Sequence, residues 1–133
     1  MTSKNIETVQ AIYVAFGRRD VPAVLGHLRQ DVEWTHAAGD PGVPWFAPRR
    51  GRAEVVKFFE GFAALDHRRF EPVSFLRGPS QVAAVINAEI AVRATGKVIR
   101  DRVLHLFTFD PEGRVASLHY FVDTRQHAEA AKG

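Results

Sequence analysis

Apolar residues recur at three- and four-residue steps through Ile6, Val9, Ile12, Tyr13 and Phe16, which places one apolar stripe along a first helix. Gly17 follows the last of them and suits the left-handed position that ends a helix. Asp20 then reads as the N-cap of a second helix. Pro22 is tolerated in its first turn, and Val24, Leu25 and Leu28 form its buried face. Residues 32–36 alternate, predicting a short strand with Val32, Trp34 and His36 on one face and Glu33 and Thr35 on the other. Residues 37–51 carry prolines and glycines around Trp45 and Phe46, the pattern of a long loop able to act as a lid. Helical spacing returns over residues 53–65, with Val55, Phe58, Phe59, Phe62 and Leu65 on the buried side.

The remainder reads as an antiparallel meander. Strands are expected near 69–76, 81–94, 97–109 and 114–122. They are separated by Gly78-Pro79-Ser80, Thr95-Gly96 and Asp110-Pro111-Glu112-Gly113, where glycine supplies positive φ and proline presets the turn. Asp123 or Thr124 can cap a last helix running to about residue 131. Helices first and hairpin-linked strands after them give an α+β class, with residues 1–133 as a single domain. The two central strands are much longer than the usual five or six residues, so a twisted sheet made of them must coil. Helices across its concave side would enclose a pocket with aromatic walls, fit for a small apolar ligand.

Composition narrows the reading. The isoelectric point near 9.7 invites nucleic acid. Yet 18 Lys+Arg stand against 15 Asp+Glu, and the basic residues are scattered as Arg18-Arg19, Arg49-Arg50-Gly51-Arg52 and Arg68-Arg69. A phosphate-tracking surface would gather them on one face, so no nucleic-acid partner is expected. No apolar run approaches the roughly 20 residues of a membrane span, and no leader pattern follows the N-terminus; a cytoplasmic protein is expected. Without cysteine there is no thiolate nucleophile or disulfide.

The order of elements resembles the nuclear transport factor 2-like fold, a cone-shaped curved antiparallel sheet wrapped by N-terminal helices. Its details resemble the SnoaL-like and ketosteroid isomerase-related branch. Four stretches carry the likeness: Val9 to Phe16 running on to Asp20-Val21-Pro22-Ala23-Val24; Asp31-Val32-Glu33-Trp34; Arg50-Gly51-Arg52 with Ala53 to Phe59; and His105 to Phe109 with Phe121-Val122-Asp123. The resemblance implies proton-transfer chemistry on an apolar carbonyl compound, as an isomerase, polyketide cyclase or dehydratase, without a cofactor. A non-catalytic carrier using the same cavity, or a scaffolding domain whose cavity is filled, would share the fold, because function lives in the site and not the fold.

Ketosteroid isomerases use a carboxylate base at the end of the first strand, opposed by a tyrosine and a protonated aspartic acid. The resemblance puts His36 at the position of the base and His105 at that of the aspartic acid, while the tyrosine position falls on Ile12, one residue before Tyr13. His36 shares its face with Trp34 and would accept a proton near neutral pH. Strand alternation places Asp101, Val103, His105, Phe107 and Phe109 on one face, so His105 would donate to a substrate oxygen, helped by Tyr13. Asp101 is a further candidate. It lies roughly 13 Å from His105 along the strand, too far to orient it, and would pair at the rim with Arg100 or Arg102 or meet His36. Trp34, Trp45, Phe46, Phe59, Val103, Phe107 and Tyr120 are the candidate substrate-binding residues, and Leu104, Leu106 and Phe121 suggest a homodimer through the outer face of the sheet. His27, His67 and His127 fall in polar contexts and read as surface residues; His119 reads as structural or interfacial. No metal is expected, since no two histidines have helical i, i+4 spacing and His36 with His105 lacks a third ligand.

Overall fold

The structure is a computed structural model that describes residues 3–37 and 39–132. It is α+β, with a six-stranded curved sheet that does not close on itself. Helix α1 (Lys4–Gly17) starts where the Ser3 hydroxyl accepts the Ile6 N–H, and it buries Val9, Ile12 and Ala15. Its end differs from the expectation. Gly17 stays inside the helix, and the left-handed position is taken by Arg19 at φ 57°. Asp20 caps α2 (Val21–Leu25) by accepting the Ala23 N–H.

The second helix is shorter than its apolar pattern suggested, and Leu28 begins a strand instead. Strand β1 (Leu28–His36) thus starts four residues before the alternation becomes regular at Val32. The Arg52 guanidinium takes the Leu28 carbonyl as acceptor, which fastens the strand to the helix above it. The two-residue strand β2 (Arg49–Arg50) pairs with Glu33 and Trp34 of β1. Gly51 at φ 87° then turns the chain into α3 (Arg52–Gly61), with its N–H bonded to the Val32 carbonyl at 2.7 Å. A single 3₁₀ turn, Phe62–Ala64, replaces the expected last helical turn, and Leu65 opens the next strand.

Strands β3 (Leu65–Arg77), β4 (Gln81–Val92), β5 (Val98–Phe109) and β6 (Val115–Phe121) form the meander, and the order across the sheet is β2-β1-β6-β5-β4-β3. All neighbours are antiparallel except β1 and β6, which run parallel, so the sheet is not purely antiparallel as the sequence had implied. Asp110 holds the last tight turn, its carboxylate accepting the N–H groups of Glu112 and Arg114 while Gly113 adopts φ 84°. Two register shifts in β3, at His67/Arg69 and Pro72/Ser74, bend its long ladder with β4. Helix α4 (Thr124–Ala131) is capped by Asp123 and buries His127 and Ala130. Full burial of a side chain such as Phe107, 1% exposed, contributes about 1.5–3 kcal/mol, and the core cluster of such residues runs from α1 through β5 to α4.

Candidate functional site

The concave face of the sheet and the helices over it enclose a cavity of about 60 Å³. Ile12, Tyr13 and Phe16 of α1 line it, with Phe58 and Phe59 of α3 and Phe62 just beyond. The strands supply Trp34, Leu65, His67, Phe70, Ile90, Val103, His105, Phe107, Leu118 and Tyr120, and Phe46, Val122 and His127 complete the wall. This volume holds a few water-sized groups. A ring-sized ligand must displace wall side chains, and Phe59, Phe62 and Phe70 are only partly buried.

The polar groups in this apolar wall are few. The Tyr13 hydroxyl and His105 Nδ1 lie 2.6 Å apart, with the two rings stacked at a centroid distance of 5.8 Å. Helix α1 brings the tyrosine and β5 the histidine, 92 residues later. Burial among Phe70, Phe107 and Tyr13 lowers the His105 pKa to about 3 and raises that of Tyr13 well above its ordinary value. Both partners are therefore neutral at pH 7, and they share one proton between oxygen and nitrogen. The Trp34 indole N–H is buried and has no hydrogen-bond partner among the described residues. Such a donor costs about 1–3 kcal/mol unless an acceptor reaches it.

His36 keeps the buried face that it shares with Trp34 but lies outside the cavity lining. In the register of the sheet His36 is opposite Tyr120 on β6, and Tyr120 is opposite His105 on β5. The three residues form a row, two strand spacings or about 10 Å from end to end. Tyr120 occupies the middle, 2% exposed, with its ring 5.7 Å from that of His36 and 5.0 Å from that of Phe46. His36 is buried, but it is not among the residues lining the cavity. The two imidazoles therefore do not face each other across one space.

Trp34, Phe46, Phe59, Val103, Phe107 and Tyr120 are brought together in the lining, as is Tyr13. Trp45 is not part of it; its indole N–H donates to His127 Nδ1 at 3.0 Å. Asp101 also lies outside the lining, and its carboxylate accepts the Asp123 N–H at 2.7 Å at the start of α4. That bond, and not an Arg100 or Arg102 pair, occupies it: Arg100 bonds Glu89 and Arg102 bonds Asn87.

Two histidines read as surface residues belong to the wall. His127 is 1% exposed, and burial lowers its pKa to about 4. Its signal was helical spacing, since Ala130 lies one turn on and Asp123 caps the helix before it. His67 packs against Phe16, Phe62 and Phe70, with its pKa lowered to about 4 by burial and then by the charge of Arg19. Once Leu65 begins the strand, His67 shares its parity, and the bulge that follows lets Phe70 return to the same side. No three histidine or acidic side chains converge as metal ligands among the described residues.

The sequence profile of the SnoaL-like domain matches residues 9–118. The chain belongs to the SnoaL-like family. This SnoaL-like protein is similar in structure to an NTF2-like protein of unknown function from Burkholderia pseudomallei K96243, with a TM-score of 0.87 and 25% identity over 99% of this chain and 100% of that one. It is also similar to TerC co-crystallised with polyporic acid, with a TM-score of 0.82 and 25% identity over 96% of this chain and 98% of that one. A candidate polyketide cyclase from Pseudomonas putida KT2440 shares the fold at a TM-score of 0.79 and 20% identity, over 98% of this chain and all of that one, 100%. No curated protein sequence matches the chain. No described helix of this SnoaL-like protein is long and apolar enough to cross a membrane.

Proposed function

We propose that this SnoaL-like protein moves a proton on an apolar carbonyl compound, as an isomerase or cyclase does, with Tyr13 and His105 as its catalytic pair. The 2.6 Å contact between two neutral, titratable groups in the cavity wall carries this reading. Burial disfavours charge on either ring, so a relay that never creates an isolated ion suits the site. In one tautomer Nδ1–H donates to the phenolic oxygen, the tyrosine proton is free for the ligand and Nε2 is an acceptor. A carbonyl oxygen then takes the tyrosine proton while Nε2 takes one from the adjacent carbon, and the Nδ1 proton passes to the phenol oxygen. The product is an enol, and both protein groups end neutral. The unpartnered Trp34 N–H supplies a further donor for a ligand oxygen. TerC, with polyporic acid bound, supports a small organic ligand for this fold.

The test needs no knowledge of the natural substrate. With 2-tetralone in D₂O, the protein is expected to accelerate exchange of the protons next to the carbonyl, followed by NMR. Tyr13→Phe and His105→Gln are each expected to reduce that acceleration by about 10²-fold or more. Binding of the ketone without any acceleration would instead identify a carrier.

A homodimer through the outer sheet face is part of the same proposal. Leu104 is paired there with Phe121, which is 42% exposed. Phe121→Glu is expected to halve the sedimenting mass; a wild-type monomer removes the dimer.

A further inference from the structure

Arg19 sits in a conformation that arginine disfavours. Helix α1 ends in a Schellman arrangement, in which Asp20 N–H reaches the Ala15 carbonyl at 2.9 Å and Arg19 N–H reaches that of Phe16 at 3.0 Å. The left-handed residue in such a cap is usually glycine, and here Arg19 holds it at φ 57° although Gly17 lies two positions earlier. Backbone strain kept at a non-glycine residue points to a use for its side chain.

Arg19 lines a recess of about 250 Å³ together with Tyr13, Phe16, Phe62, His67 and Phe70. These five residues also line the internal cavity, so the recess is its mouth. The guanidinium has no ion pair or side-chain hydrogen bond among the described residues. Nearby acids are engaged: Asp20 accepts the Ala23 N–H, and Asp66 pairs with Arg68. The α1 carbonyls, which would repel an anion, are taken up by the cap. At His67 the charge of Arg19 is felt most, that of Asp66 opposes it and that of Arg93 adds to it, and the neutral ring can hydrogen-bond without opposing an anion. Arg19 is therefore the leading charge at the mouth, above an apolar interior.

We propose that Arg19 is a specificity-determining residue that binds the carboxylate of an otherwise apolar ligand, with His67 beside it, so that the substrate class is an apolar organic acid. A guanidinium fork matches a carboxylate in two parallel hydrogen bonds, which a neutral amide cannot reproduce. Tyr13 to the last helical residue, Gly17, is roughly 6 Å along the helix axis, and the cap carries the chain on to Arg19, a span suited to a ring with a short acid chain. The proposal rests on the cavity being a ligand site.

The experiment compares 3-phenylpropionate with 3-phenylpropionamide, which share one apolar body, by NMR titration at pH 7. Wild-type protein is expected to bind the anion about tenfold more tightly or better, with the preference falling as salt rises. Arg19→Gly and Arg19→Gln are expected to bring the two ligands to parity while amide affinity stays unchanged. Glycine at positive φ is expected to keep the melting temperature at or above that of wild type, so loss of preference is not loss of fold. Equal affinity of wild type for both ligands, or a preference that survives both substitutions, overturns the anion site and leaves the cavity reading standing. Failure of wild type to bind either ligand overturns both.

Discussion

In one part of the cavity wall His105 Nδ1 faces the Tyr13 hydroxyl at 2.6 Å; in another, His127 Nδ1 accepts the Trp45 indole N–H at 3.0 Å. The two histidines are alike in that burial lowers their pKa values, to about 3 and about 4. Their partners differ. An indole N–H is a donor only, so the proton between Trp45 and His127 has one place to sit. A phenol is both donor and acceptor, so the proton between Tyr13 and His105 has two. The first bond ties the loop holding Trp45 to helix α4. The second can exchange protons with whatever enters the cavity. A buried histidine is thus read by what its partner can do with a proton, and not by its own pKa.

The largest expected contrast lies in chemistry. Tyr13→Phe and His105→Gln should each remove about 10²-fold or more of any ketone-exchange activity, while Trp45→Phe should leave it within a few-fold, measured per folded molecule. Comparable losses in all three would erase the distinction between the pairs.

Acid should act on the fastening bond next. A folded-state pKa of about 4 against an ordinary 6.5 means that the unfolded chain binds a proton that buried His127 does not. The stability contributed by the neutral ring is whole above pH 6.5 and is lost as pH falls through about 4. The slope per group approaches about 1.4 kcal/mol per pH unit inside that window. His67 and His105 share the same sign. Urea unfolding between pH 7 and 4.5 should show a steep loss in wild type and a slope shallower by one proton in His127→Gln. An unchanged slope would mean that His127 is not held neutral. Trp45→Phe follows in size: it leaves His127 Nδ1 without its donor and should cost about 1–3 kcal/mol at pH 7.

The same contrast explains what could be read from the chain and what could not. Periodicity located α1, and turn residues located the hairpins, because each is a local pattern closed by local chemistry, as with Asp110 and Gly113. Leu28 was misread because a helix of five residues offers too little periodicity to mark its end. Arg19 was missed because residue type alone favours Gly17 for the left-handed site. His67 escaped because its inward aim depends on where β3 begins and on the bulge after it. Tyr13 and His105 were both legible as inward-facing residues. Their bond was not, since it joins a helix and a strand 92 residues apart. Charge and polarity around His127 suggested solvent, although its helical spacing from Ala130 held the opposite signal.

The smallest expected effect concerns His36, whose place at the end of β1 suggested the base. It is the outermost member of a three-strand row, with Tyr120 between it and His105. The Tyr120 hydroxyl is directed to the Phe46 carbonyl at 3.5 Å, and burial raises its pKa, so the ring remains a neutral filler in that row. A ligand in the cavity meets Tyr120 before it meets His36, and direct proton transfer to His36 needs hydrogen-bond reach of roughly 3 Å. His36→Gln should therefore change ketone exchange by less than about threefold, well under the loss from Tyr13→Phe, which is of the order that removing a general acid or base brings. A drop matching that of His105→Gln, in protein with an unchanged melting temperature, would mean that the row opens when a ligand binds and that Tyr120 swings aside to admit the second imidazole.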